Sequence, residues 1–194
     1  MLIEDGTGSG FTAAVNSENR LKTIAITATV EHHINHEEGM AFNIIFQQTP
    51  TYEDPSSDTG DICFLYLKNT DNLDICLEGI KLRLGGTGQS EIIKLIGNPS
   101  GTPVNGNSVT PSNLNLGSGK TADGTFETGN NITGLTGGTE LERNYLGSSD
   151  TTVDINFEQD IIVPKNNIIT LWASTTGTEI AGTLIFNYHA ISAG

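Results

Sequence analysis

The chain has 194 residues, which suits one domain with a tail, and 36% of them are hydrophobic, enough to fill a core of that size. Nine basic residues against 23 acidic ones give a formal charge of −14, whose field repels phosphate backbones and anionic headgroups and so argues against nucleic-acid and membrane partners. Charged residues make up only 16% and glycines number 23, while Leu, Ile, Val and Thr gather in short runs between Gly, Asn, Ser and Pro, as all-β sandwiches do.

Residues 1–20 read as an extended polar, glycine-rich arm and residues 21–194 as one β-sandwich domain. The start, Met1-Leu2-Ile3-Glu4-Asp5, has neither the basic nor the apolar region of an export signal, and no stretch reaches the ~20 apolar residues of a membrane helix. The expectation is therefore a protein made in the cytoplasm and kept soluble, without export from this end.

"LKTIAITATV" (21–30) alternates with period two and predicts a half-buried strand. "EHHINHEEG" (31–39) gathers three histidines and three glutamates. The Glu-then-two-then-His order of zinc proteases is absent, so the segment reads as a polar loop, with His32 and His36 as weak metal candidates at a symmetric interface. No metal or other cofactor is expected.

"MAFNIIFQQ" predicts a strand with Met40, Phe42, Ile44 and Phe46 inward, and "DICFLYLKN" a strand apolar on both faces, ending in the turn "NTDN". In "LDICLEGIKLRLGG" the phase slips: Ile75 and Leu77 have one parity, Ile80, Leu82 and Leu84 the other. A β-bulge at Gly79 would return all five to one face. Cys63 and Cys76 read as two buried thiols, although neighbouring strands would leave pairing open.

After the strand "EIIKLIG" comes a long excursion, 98–139, rich in Gly, Asn and Thr. Its isolated apolar residues, Val104, Val109, Leu114, Leu116, Phe126, Ile132 and Leu135, predict an extended, packed path. "TTVDINFEQ" resumes the strands, Pro164–Asn167 reads as a hairpin turn within "DIIVPKNNIITLWAS", and "TEIAGTLIFNYHA" puts Ile180, Leu184, Phe186 and Tyr188 on one face. About eight strands result, with a jelly-roll sandwich as the leading architecture.

Catalytic signals are thin. Gly119-Lys120-Thr121 lacks the earlier Gly, the strand and the helix of a phosphate loop. Ser9 and Ser118 lack the Gly two residues earlier that a nucleophile elbow needs, so no enzyme is expected. Trp172 is placed on the inward face with Ile168 and Thr170, leaving Tyr52 and Tyr145 as the loop aromatics able to contact a glycan.

The opening "EDGTGSGFTAAVNSENRL" resembles the N-terminal arm of small virion structural proteins of tailed bacteriophages. "GNPSGTP", "VTPSNLNLGSGKTADGTF", "ITGLTGG", "IIVPKNNIITLWAS" and "EIAGTLIFNYH" are similar to the later half of the same group, with residues 49–90 the least alike. The resemblance implies a head decoration, or cement, protein that forms a homotrimer, binds the major capsid protein on the outer capsid surface of the virion and stabilises the lattice. The arm, with Glu4, Asp5, Phe11, Val15 and Arg20, would be the capsid strap. Extended, its ~20 residues would reach on the order of 60 Å. The alternatives are a head-fibre or tail-tip protein binding a host glycan or receptor, and a head-to-tail junction adaptor.

Overall fold

A computed structural model describes residues 2–4, 12–14, 39–52, 60–85, 90–147, 152–174 and 176–189. The chain divides into two compact units, Met1–Val30 and Glu31–Gly194. In the first, β1 (Leu2–Glu4) pairs antiparallel with β2 (Thr12–Ala14), placing Ile3 opposite Ala13. The strand expected over 21–30, the histidine loop with His32 and His36, and Asp5, Phe11, Val15 and Arg20 lie outside the described residues.

The described part of the second unit is entirely strand, turn and loop. Its principal strands are β3 (Ala41–Gln48), β4 (Ile62–Asn69), β5 (Asp74–Gly85) and β6 (Glu91–Gly97). Short pieces follow, β7 (Ser100–Val104), β8 (Asn107–Ser108) and β9 (Ser112–Asn113). The long strands resume with β10 (Gly124–Thr136), β11 (Thr139–Leu146), β12 (Thr152–Val163), β13 (Ile168–Ala173) and β14 (Glu179–His189). They form two antiparallel sheets, β12–β5–β14–β3–β9 and β11–β6–β13–β4–β10–β7, with β8 also paired to β10.

The sheets pack face to face as a sandwich because each long strand turns alternate apolar residues inward. Ring contacts bridge the layers: Phe46 of β3 lies 5.7 Å from Phe64 of β4, and Phe126 of β10 lies 5.6 Å from Phe186 of β14. Phe42, Ile44 and Phe46 are buried as the alternation predicted, and so are Ile180, Leu184, Phe186 and Tyr188.

Ile75, Leu77, Ile80, Leu82 and Leu84 all lie in one core cluster, and the bulge that permits this falls where the phase slips. On one side β14 skips Glu78, pairing Ile185 with Gly79 and Phe186 with Leu77. On the other, β12 shifts register between Asn156 and Ile161. Gly79 is required at this point because a Cβ there would sit 2.6 Å from the backbone oxygen of Ile155.

The turn at Pro164–Asn167 forms, closed by the Asn167 amide donating to the Pro164 carbonyl at 3.0 Å, but it is not a hairpin turn. It joins β12 of one sheet to β13 of the other, so the chain arches across the core. The turn between β4 and β5 crosses in the same way, and Asn69 ties the two arches together. Its side-chain amide donates to the carbonyls of Leu73 and Val163, both at 2.8 Å, and its Oδ1 accepts from the Asp71 amide at 2.9 Å. Backbone bonds add Asn69 N to Asn167 O at 3.1 Å and Asn166 N to Asn69 O at 2.8 Å.

The excursion is extended and packed, and most of it is strand. β10, β7 and β8 extend one sheet beyond β4, while β9 extends the other beyond β3. Phe126 enters the main core, Ile132 and Leu135 a second cluster, and Val109 packs at the margin. Val104, Leu114 and Leu116 are exposed instead, the last to 96%, so these three do not anchor the path. Side-chain caps hold it there: Asn113 Nδ2 donates to Gly39 O at 2.8 Å and Tyr188 Oη donates to Asp123 O at 2.6 Å.

Cys63 and Cys76 are buried free thiols on different sheets, one in β4 and one in β5.

Candidate functional site

On β13 the inward residues are Ile169, Leu171 and Ala173, which belong to the main core. Trp172 is therefore on the outer face, with Ile168 and Thr170 beside it, and the inward placement expected from sequence is corrected. Both parities of "NIITLWAS" carry apolar side chains, so local pattern could not choose the face. Thr170 and Trp172 were the available signal, since each has a polar group that needs a partner when covered.

The outer face here holds a second apolar cluster, Cys63, Tyr66, Ile132 and Leu135, with Ile168 and Trp172 packed on it. β10 builds the covering wall. It follows β4 from Gly124 to Thr128, loses register before Ile132, and then pairs with β7 through Thr133 to Thr136. Gly134 (φ +78°) and Gly101 (φ +111°) allow the close approach of β10 and β7, since a Cβ on Gly134 would meet Thr102 O at 2.4 Å.

Beneath that wall lies a pocket of about 330 Å³, bounded by Tyr52, Asp61, Cys63, Asn131, Thr133 and Trp172 among others. Three sets of hydrogen bonds shape it. Asn130 of β10 accepts from Thr49 N through Oδ1 at 2.9 Å and from Thr51 N through its backbone oxygen at 3.0 Å, which delivers Tyr52 to the rim. Tyr52 Oη then donates to Gly60 O at 2.6 Å. Trp172 Nε1 donates to Thr170 Oγ1 at 2.7 Å, and that hydroxyl donates to Ile96 O at 3.1 Å, fixing the indole along its strand.

Lys94 Nζ and Asp61 Oδ2 form an ion pair of 2.6 Å at the pocket edge. Burial pushes the Cys63 thiol far above its usual range, with the nearby Glu127 adding to the rise, so the thiol stays protonated at neutral pH. Burial likewise raises Tyr66, helped by Glu127 and Cys63, and burial alone raises Glu127. Among the described residues no group of three or more His, Cys, Asp or Glu side chains is arranged to hold a metal ion.

Of the two loop aromatics read from sequence, Tyr52 lines this pocket. Tyr145 is on β11 and 70% exposed; β6 stands between that strand and β13, and Tyr145 is not part of the pocket. Of the arm residues, Glu4 alone is described, as the last residue of β1. Gly119-Lys120-Thr121 lies in a loop held by turns such as Lys120 N to Ser118 Oγ at 3.1 Å, with no helix after it.

No protein-family model, no curated protein and no solved structure matches the chain.

Proposed function

We propose that this chain is a non-enzymatic virion structural protein, a capsid decoration protein that binds the major capsid protein on the outer surface of a phage head. The observation that carries the reading is the strand order. β12–β5–β14–β3 faces β11–β6–β13–β4, and of these eight strands those successive in sequence change sheet at every step except from β6 to β11. That order supports a jelly roll, an architecture suited to lattices because its strand edges sit at the rims and its loops cluster at the ends.

Two further features support the mode of attachment. Met1–Val30 is a unit of its own in which β1 pairs with β2, which suits a small folded docking element on a neighbour in place of a fully extended strap. Exposed Val104, Leu114 and Leu116 on the excursion suit self-association as a homotrimer, in which symmetry multiplies each modest contact.

The test is to mix the purified chain with shells that lack it, sediment the particles and count bound copies. Hundreds of copies per particle, lost on deleting residues 1–20, support a strapped lattice protein. A dozen copies or fewer would overturn it in favour of a tip or a junction adaptor. A monomer by light scattering at micromolar concentration would remove the trimer.

A further inference from the structure

We infer that the pocket between Trp172 and the β10–β7 wall is a saccharide-binding site, taking one or two neutral pyranose rings. At about 330 Å³ it lies at the small end of ligand cavities, which run from ~300 to ~1,000 Å³. A sugar ring offers two kinds of surface, an apolar face of C–H bonds and an equatorial edge of hydroxyls, and the pocket offers the complement of each.

For the apolar face there are two aromatic rings. Trp172 is only partly buried and its indole N–H is already spent on Thr170, so what remains for a ligand is ring surface. Tyr52 is similar: its hydroxyl is committed to Gly60, and it lines the same pocket. Both rings are held before any ligand arrives, so little rotamer freedom is lost on binding.

For the hydroxyl edge there are three polar side chains. Asp61 uses Oδ2 on Lys94 and keeps Oδ1 to accept from a hydroxyl. The Asn131 amide and the Thr133 hydroxyl also line the pocket, and neither side chain is bonded to another described residue. The carboxylate oxygen accepts and the Asn131 amide both donates and accepts, so the lining meets sugar hydroxyls in either role.

The same groups exclude other ligand classes. A phosphate or carboxylate would find no Lys or Arg among the described residues that line the pocket, in a chain of charge −14. A divalent cation would find one carboxylate, already neutralised by Lys94 at 2.6 Å. A purely apolar ligand would strip water from Asp61, Asn131 and Thr133 without replacing it.

Trp172 is the one tryptophan of the chain, so its emission reports this pocket alone. The full chain is titrated with maltohexaose, cellohexaose, laminarihexaose, a galactose oligomer, a mannose oligomer and an N-acetylglucosamine oligomer. The expected result is a saturable change in emission with at least one of them, at a dissociation constant of about 10 µM to 1 mM.

Asp61→Ala and Asn131→Ala, both in the pocket lining, are each expected to weaken that binding about tenfold or more, with far-UV circular dichroism unchanged. Tyr145→Ala is expected to leave it alone. No saturable change with any of the six at up to about 10 mM would overturn the inference, as would binding that survives Asp61→Ala combined with Asn131→Ala. The titration uses the isolated chain, so failure to decorate shells would leave a positive sugar result standing, and the reverse also holds.

Discussion

Asn69→Ala tests whether the two arches across the core depend on one side chain. Asn69 is fully buried, and truncation removes three hydrogen bonds of 2.8, 2.8 and 2.9 Å. What matters more is what is left behind. The Val163 carbonyl is bonded in a buried setting, whereas the Leu73 carbonyl and the Asp71 amide are partly reached by water. A buried group left unpaired costs about 1–3 kcal/mol, and partly wet ones cost less, so the total is about 3–4 kcal/mol.

In a chain of this length each kcal/mol moves Tm by about 2–4 °C, giving a fall of about 10 °C. With a urea slope of about 2 kcal/mol/M the midpoint falls by about 1.5–2 M. Asn69→Asp separates donation from volume. It keeps the size but turns the two amide donations into contacts between a carboxylate and carbonyl oxygens, and is expected to cost at least as much at pH 7. A loss below about 1 kcal/mol for both variants would refute the reasoning and leave the arches to apolar packing.

Gly79→Ala drives a Cβ against Ile155 O, and is expected to lower stability by about 1–3 kcal/mol in thermal or urea unfolding; a neutral result would mean that β5 and β12 part there without cost. Glu127 has its pKa raised by burial, so the folded state favours the protonated acid: its contribution is fully present below the ordinary glutamate range and is lost as pH rises through the folded value. Glu127→Gln should therefore raise Tm at pH 7, with the gain shrinking towards about pH 4, and a gain independent of pH would sink this account. Cys63 and Cys76 both have thiols raised by burial, with Asp74 and Glu78 adding to the rise at Cys76. Neither should react with a disulfide reagent at pH 8 in the native chain, and both should react in denaturant; rapid native labelling would contradict the burial.

Local pattern already specified which residues share a face wherever one parity was apolar and the other polar. The five core residues of β5 and the need for a bulge at Gly79 were legible because a period of two is a property of a single strand. The same rule was silent on β13, where Ile168 and Ile169 begin opposite faces and both are covered, one by the main core and one by the cluster under β10. Trp172 and its pocket were hidden for that reason. Tyr52 could be named as a loop aromatic, but its place in the same pocket as Trp172 depends on Asn130, nearly eighty residues further along the chain.

What sequence determined by itself was the all-β class, the turns and the inward sides of the regular strands, since each follows from backbone dihedrals and the alternation of neighbouring side chains. Tertiary structure alone decided which strand lies beside which. The turn at Pro164–Asn167 has the residues of a hairpin, yet its strands join different sheets. The tightness of a turn is local, whereas the direction in which the chain leaves it is chosen by partners such as Asn69 and the cores on either side.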